Sequence, residues 1–288
     1  MKEYAFVVSK PLQLIIALSI MTQLRIGQSV HVIVVDSFAG ARDVCARLGS
    51  PDGPLKGVSA EFVGSTKDGY RALRKRRFSR IFIDCDVGAV RYLELLMIKA
   101  ANPHLTINVY EEGMGTYRTD LYSGIKKNVL DLVGAGTAFG GCGLTSNLYI
   151  YNPDDYLSSF YKTKVNLIKI HQQIADLVCK MFGEMMTLFD YTPVSGAGSK
   201  CNIYLSSWKF NESFLKRFQS FPGDRYIKPH PHLKDANAEA DAVFLSAAVP
   251  AELVLIDLLK KYKCIDVYHH GSSIEKYIKS DRIQYMII

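Results

Sequence analysis

Apolar runs and helical stretches alternate in two blocks along this 288-residue chain. That rhythm constrains the fold more than any other feature. In the first block the apolar runs fall at 4–9, 30–37, 60–64, 80–85 and 106–111. Helical patterns lie between them at 11–24 and 39–48, after 64 as far as 77, and at 87–101. None of the runs alternates cleanly between apolar and polar, as expected of strands whose two faces are both covered by helices. Strand and helix repeated in this order imply a parallel, doubly wound sheet. The rhythm resumes after residue 200, with strands expected at 202–206, 225–228, 242–246, 265–268 and 283–288. Helices are expected there at 211–219, 250–262 and 272–279.

The middle of the chain reads differently. The glycine-dense stretch 134–143 has the composition of a mobile loop and lacks the spacing of a dinucleotide-binding turn. A sixth strand is expected at 149–151, a long helical stretch at 154–190, and a linker at 192–200. The expected organisation is an N-terminal Rossmann-like domain over 1–153, a helical connector and linker over 154–200, and a C-terminal Rossmann-like domain over 201–288. Two such lobes in series form the α/β arrangement called GT-B.

A formal charge of +7 suits an anionic partner such as a sugar nucleotide, an acidic glycan or membrane headgroups. Nucleic acid is not expected, because aromatic residues do not interleave with the basic run Arg71, Arg74, Lys75, Arg76 and Arg77. That run reads first as a solvated helix face, with attraction to an acidic glycan or an anionic lipid as its alternative. The six cysteines are scattered, with no CxxC pair, so neither a zinc ribbon nor a thioredoxin-like site is expected. His269-His270 lacks a carboxylate or cysteine at ligand spacing, and no metal is expected. The first residues do not resemble a signal peptide. The apolar stretch 12–24 is broken by Gln13, Ser19, Thr22 and Gln23 and is too short to span a bilayer. A reducing cytoplasm is the expected compartment.

Three short elements stand at expected carboxyl ends of strands, where open α/β sheets collect ligands. The first is Glu111-Glu112-Gly113. Neighbouring carboxylates repel, which raises the proton affinity of at least one and suits it to act as a base toward a hydroxyl. Gly113 permits a tight turn behind them. The second is His230-Pro231, with Pro229 before it and Lys228 adding positive charge nearby; flanking prolines fix the backbone and aim the ring. The third is Gly271-Ser272-Ser273, where a strand turns into a helix whose start could hold a phosphate. Taken singly, these are ordinary turns and caps. The functional reading rests on all three standing in order at matching positions. If the two lobes face each other, the first element opposes the other two across a cleft.

In these residues the chain resembles the bacterial sialyltransferases, and within them the capsule polysialyltransferase and lipooligosaccharide sialyltransferase group. That group shares an acidic–acidic–Gly motif, a His-Pro motif and a serine motif on a GT-B fold. The opening Ser9-Lys10-Pro11-Leu12-Gln13 and the helix start at Val249-Pro250-Ala251-Glu252 are similar to it as well. The resemblance implies an inverting, metal-independent transfer of sialic acid from CMP-sialic acid to a lipooligosaccharide, O-antigen or capsule glycan. No cofactor is implied beyond that donor. The first domain would be the acceptor side and the last the CMP side. Glu111 would be the general base, with Glu112 the equal alternative. His230 would be the acid or phosphate partner, and Ser272 and Ser273 would grip the CMP phosphate. The chain is short for a polymerising enzyme, which leaves single addition to a galactose-ending glycan open beside polymerisation.

The acceptor and the oligomeric state stay open. A lipid-linked acceptor would leave room for peripheral membrane contact. A relative of sialic acid such as Kdo or legionaminic acid is an open alternative donor. Two further readings compete: a GT-B enzyme using UDP-sugars, and a non-catalytic nucleotide- or glycan-binding protein.

Overall fold

A computed structural model describes residues 3–26, 29–160, 164–233 and 241–288. The chain forms two compact units. One takes the chain as far as Asp36 together with Leu48–Gln173, and the other takes Ser37–Arg47 together with Ile174–Ile288.

The first unit is built on a seven-stranded sheet. Its strands are β1 (Tyr4–Val8), β2 (Val30–Val35), β3 (Val58–Val63), β4 (Arg80–Ile83), β5 (Thr106–Tyr110), β6 (Asn147–Ile150) and β7 (Asn166–Lys169). They lie in the order β3-β2-β1-β4-β5-β6-β7, all parallel. Its helices are α1 (Pro11–Gln23), α3 (Thr66–Lys75), α4 (Ala89–Ala101), α5 (Gly124–Leu132) and α6 (Pro153–Ser159). The helix between β2 and β3, α2 (Ala41–Leu48), lies almost entirely in the segment that belongs to the second unit. Each local start has a sequence cause. Pro11 opens α1 where its missing N–H costs nothing, and the Ser65 hydroxyl caps α3 by accepting from the Asp68 N–H. The core runs along both faces of the central strands. Phe6 stacks on Phe82 at 4.3 Å, and Tyr149 meets the Phe82 edge at 5.3 Å.

The second unit carries a five-stranded sheet. Its strands are β8 (Gly198–Leu205), β9 (Asp224–Lys228), β10 (Val243–Phe244), β11 (Tyr262–His269) and β12 (Ile283–Ile287), in the order β10-β9-β8-β11-β12 and all parallel. Its helices are α7 (Ile174–Lys180), α8 (Phe182–Phe189), α9 (Glu212–Phe218), α10 (Ala251–Lys261) and α11 (Ile274–Tyr277). Both units therefore wind alike. Three strands step one way, and the chain then returns to continue on the other side of the first strand. The reversal falls between β1 and β4 in one unit and between β8 and β11 in the other, and such points are where ligands bind in open sheets. Two parallel α/β units of this kind make the two-lobe GT-B-type fold.

The middle of the chain departs from the sequence expectation. The long helix at 154–190 is α6, then the edge strand β7, then α7 and α8. Val165 and Ile170 are buried on either side of exposed Asn166 and Lys169. The strand is made by its parallel pairing with β6, from Asn147 opposite Asn166 to Ile150 opposite Lys169. Residues 154–173 thus complete the first unit, 174–190 start the second, and part of the expected linker is the beginning of β8.

The glycine-dense stretch 134–143 is pinned rather than loose. The fully buried Asp86 carboxylate accepts from Gly140 N at 2.9 Å, Cys142 N at 3.1 Å and the Thr145 hydroxyl at 2.7 Å. Burial pushes the pKa of this carboxyl up. The cysteines are all free, and no helix among the described residues is long and apolar enough to cross a membrane.

Candidate functional site

In the first unit, polar side chains gather where β1, β4 and β5 end. Ser9 donates its hydroxyl to Asp84 Oδ2 at 2.6 Å, and Gln13 Nε2 donates to the same oxygen at 3.1 Å. Gln13 Oε1 accepts the Ser9 N–H at 2.6 Å, fixing the turn into α1. Lys10, next in the chain, places its ammonium 2.8 Å from Glu112 Oε2.

The two glutamates have different fates. Glu111 ends β5 with no exposure at all. Its Oε2 accepts the Tyr117 hydroxyl at 2.7 Å and the Tyr151 N–H at 2.8 Å. Burial, and then the adjacent Glu111 carboxylate, push the Tyr117 pKa up, so that hydroxyl stays a donor. Glu112 points the other way, with 19 % of its side chain exposed. Its backbone N–H donates to the Thr116 hydroxyl at 2.9 Å, which holds the turn beneath it. Gly113 sits at φ 110° and ψ −145°, a conformation that side chains exclude. A Cβ on Gly115 would fall 1.8 Å from Glu112 Oε1, so this second glycine makes the space that the carboxylate occupies. Of the acidic pair, one member is a buried anchor and the other a partly exposed carboxylate with a cation beside it.

In the second unit, β8, β9 and β11 end together. Ser206, just past β8, accepts the His230 N–H on its hydroxyl at 2.9 Å. His230 Nδ1 accepts the His232 N–H at 3.3 Å, which leaves Nε2 as the protonated nitrogen of the neutral ring. Trp208 stacks on both imidazoles, 5.0 Å from His230 and 4.4 Å from His232, while remaining 68 % exposed. The Pro231 carbonyl accepts the Ala39 N–H at 2.8 Å.

The remaining expected residues make local contacts. Lys228 is buried; its ammonium donates to Pro229 O at 2.8 Å and Ala247 O at 3.3 Å. Burial draws its pKa down to about 7, against a smaller opposing pull from Glu252. Burial likewise raises the pKa of Glu252 to about 6. The cation therefore serves the carbonyls of the loop. Gly271 turns the chain at φ 74°. The Ser272 N–H donates to the buried His269 Nδ1 at 3.0 Å, and the Ser272 hydroxyl accepts the Ile274 N–H at 3.3 Å. Ser273 makes no side-chain cap. The expected helix over 272–279 is the single turn α11, too short for the dipole that the phosphate argument used. Of the paired histidines, His269 is buried and His270 Nε2 meets the Tyr204 hydroxyl at 3.0 Å. Among the described residues, no three His, Cys, Asp or Glu side chains gather as a metal site.

Asp84, Ser206 and Trp208 were not singled out from the sequence. Asp84 follows an apolar strand in Asp84-Cys85-Asp86, and Ser206-Ser207-Trp208 follows another, so the rule that located the three motifs also reaches them.

No family model matches the chain, and no curated protein matches it. Solved structures do. A structure of the wall teichoic acid polymerase TagF aligns over 99 % of this chain and 76 % of its own, with a TM-score of 0.53 and 10 % identity. A second TagF structure, with CDPG after a soak, aligns over 96 % and 67 %, with a TM-score of 0.54 and 12 % identity. Likeness at this level of identity is a likeness of fold: it supports the GT-B part of the resemblance read from the motifs and leaves its sialyltransferase part to the motifs alone.

Proposed function

We propose that the chain is a glycosyltransferase-type enzyme that moves a group from a cytidine nucleotide to a hydroxyl of a bacterial surface glycan, with sialic acid from CMP-sialic acid as the leading donor. The observation that carries this is the division of labour in the acidic pair. Glu112 is partly exposed at the carboxyl edge of the sheet, with Lys10 at 2.8 Å, while Glu111 is sealed beneath it. In this reading Glu112 takes the proton from the acceptor hydroxyl as that oxygen bonds to the anomeric carbon. The bond from that carbon to the CMP oxygen breaks with inversion. His230 Nε2 gives its proton to, or hydrogen-bonds, the departing phosphate. Glu111, Lys228 and Ser272 act as positioning residues. No metal enters the scheme.

A second reading is favoured by the TagF structure that carries CDPG. With a CDP-glycerol donor the acceptor oxygen would attack the phosphorus bearing glycerol, and CMP would again depart. Both readings release CMP, so CMP release is the first assay. CMP-sialic acid, CDP-glycerol and UDP-sugars are each incubated with lactose-, galactose- and sialyl-terminated acceptors, and the mass gained by the acceptor identifies the group moved. Transfer from a UDP-sugar alone, or binding of CMP without transfer from any donor, would overturn the proposal.

A further inference from the structure

The helices α3, α4 and α5 of the first unit carry features that the transfer reading does not use. On α4 only Leu95 and Ile98 are fully buried. Val90 is 70 % exposed, and Leu93, Leu96 and Met97 between 43 % and 56 %. On α5 only Leu130 is buried, while Ile125 and Leu132 are 83 % and 86 % exposed and Val129 is 53 % exposed. The spacings 90, 93, 97 and 125, 129, 132 put each set on one outward stripe of its helix. Gly88, at the start of α4, donates its N–H to the carbonyls of Ala135 and Gly136, just past α5, which ties the start of one helix to the end of the other. Large apolar side chains grouped on the outward sides of two helices mark an interaction surface.

Basic residues border it. A groove of about 250 Å³ between α3 and α4 has Lys67, Arg71 and Arg74 on one wall and Val90, Leu93 and Met97 on the other. A second groove, of about 550 Å³, continues it past Lys75 to Ala100 and Ala101. The acids of the three helices are Asp68, Glu94 and Asp131, and each is already paired, with Arg71, Arg91 and Lys127 respectively. Lys67, Arg74, Lys75 and Lys126 have no ion pair among the described residues and give the face a positive surplus.

We infer that this face docks on an anionic lipid bilayer surface, with the apolar stripes entering the headgroup boundary and the basic residues meeting lipid phosphates. The chemistry selects that partner over two others. A second copy of the chain meeting the same face would set like-charged rims against each other. A soluble acidic glycan would gain nothing from exposed Leu, Ile, Val and Met. A bilayer uses both halves, since long basic side chains reach phosphate while their stems lie along apolar surface.

The test is flotation of the full chain with vesicles of phosphatidylcholine alone and with added phosphatidylglycerol. Binding is expected only to the anionic vesicles and should weaken with salt. Arg74→Gln/Lys75→Gln should lower it by roughly 25-fold, about fivefold for each charge removed. Leu93→Glu/Met97→Glu and Leu132→Glu should abolish it with circular dichroism and the melting temperature unchanged, because these side chains are exposed. Absent vesicle binding, or binding indifferent to these substitutions, would overturn the inference. So would self-association by sedimentation that Leu93→Glu removes while vesicles stay unbound.

Discussion

Replacing each glutamate of the acidic pair by glutamine tests the assignment of the base, because the structure gives the two changes opposite signatures. Glu112 is partly exposed and its contact with Lys10, itself 35 % exposed, is a near-surface ion pair. Such a pair contributes at most about 1 kcal/mol, so Glu112→Gln should move the melting temperature by no more than ~4 °C. Its cost should appear in turnover, where removal of a general base lowers the rate by roughly 10²–10⁴-fold. Glu111 has no exposure, and two donors converge on its Oε2 at 2.7 and 2.8 Å. Glu111→Gln exchanges charged acceptors for neutral ones and brings an NH₂ group into a buried site, for a loss of about 2–4 kcal/mol. Its cost should appear first in stability. The assay pairs CMP release under saturating donor with thermal unfolding of both variants. Wild-type turnover by Glu112→Gln, with loss of turnover but normal melting in Glu111→Gln, would refute the assignment.

Gly115→Ala should act through the same carboxylate. A Cβ there meets Glu112 Oε1, so kcat should fall toward that of Glu112→Gln while the melting temperature barely changes; retained kcat would show that the carboxylate can work from elsewhere. Lys228 gives a pH signature in stability. Burial holds its folded pKa near 7 against an ordinary 10.5, so between those values the unfolded chain binds more protons and stability rises with pH. Below about 7 the lysine is protonated in both states and adds no slope. Urea midpoints at several pH values across the lower part of that window should climb in the wild type and climb less in Lys228→Met; equal slopes would contradict the buried-amine account.

Much of this arrangement was legible in the order of residues. Strands covered on both faces are apolar runs, so β1, β2, β4, β5 and β11 announce themselves. The carboxyl-end rule then puts Glu111-Glu112, His230 and Gly271 at the ends of strands where ligands collect. What was not legible depends on partners distant in the chain. Nothing local distinguishes Glu111 from Glu112; the difference is made by Tyr117 and by the Tyr151 N–H just past β6. Lys228 reads as a positive charge offered beside His230 until its burial against Pro229 and Ala247 is seen. The stretch holding β7, Asn-Leu-Ile-Lys, carries no alternation that marks a strand, and its pairing with β6 makes it one. The glycine-dense segment reads as slack until Asp86 is seen to hold it.

The excursion of residues 37–47 also bears on how the molecule is made. Phe38, Ala41 and Val44 are almost wholly buried, and the unit to which they belong is otherwise encoded after residue 173. On a ribosome these side chains emerge early and must wait, sticky and unhoused, until more than half of the polypeptide has been synthesised. A gene fragment starting at 174 would yield a product missing part of its own interior. Limited proteolysis between the halves would likewise leave the early fragment holding a piece of the later one.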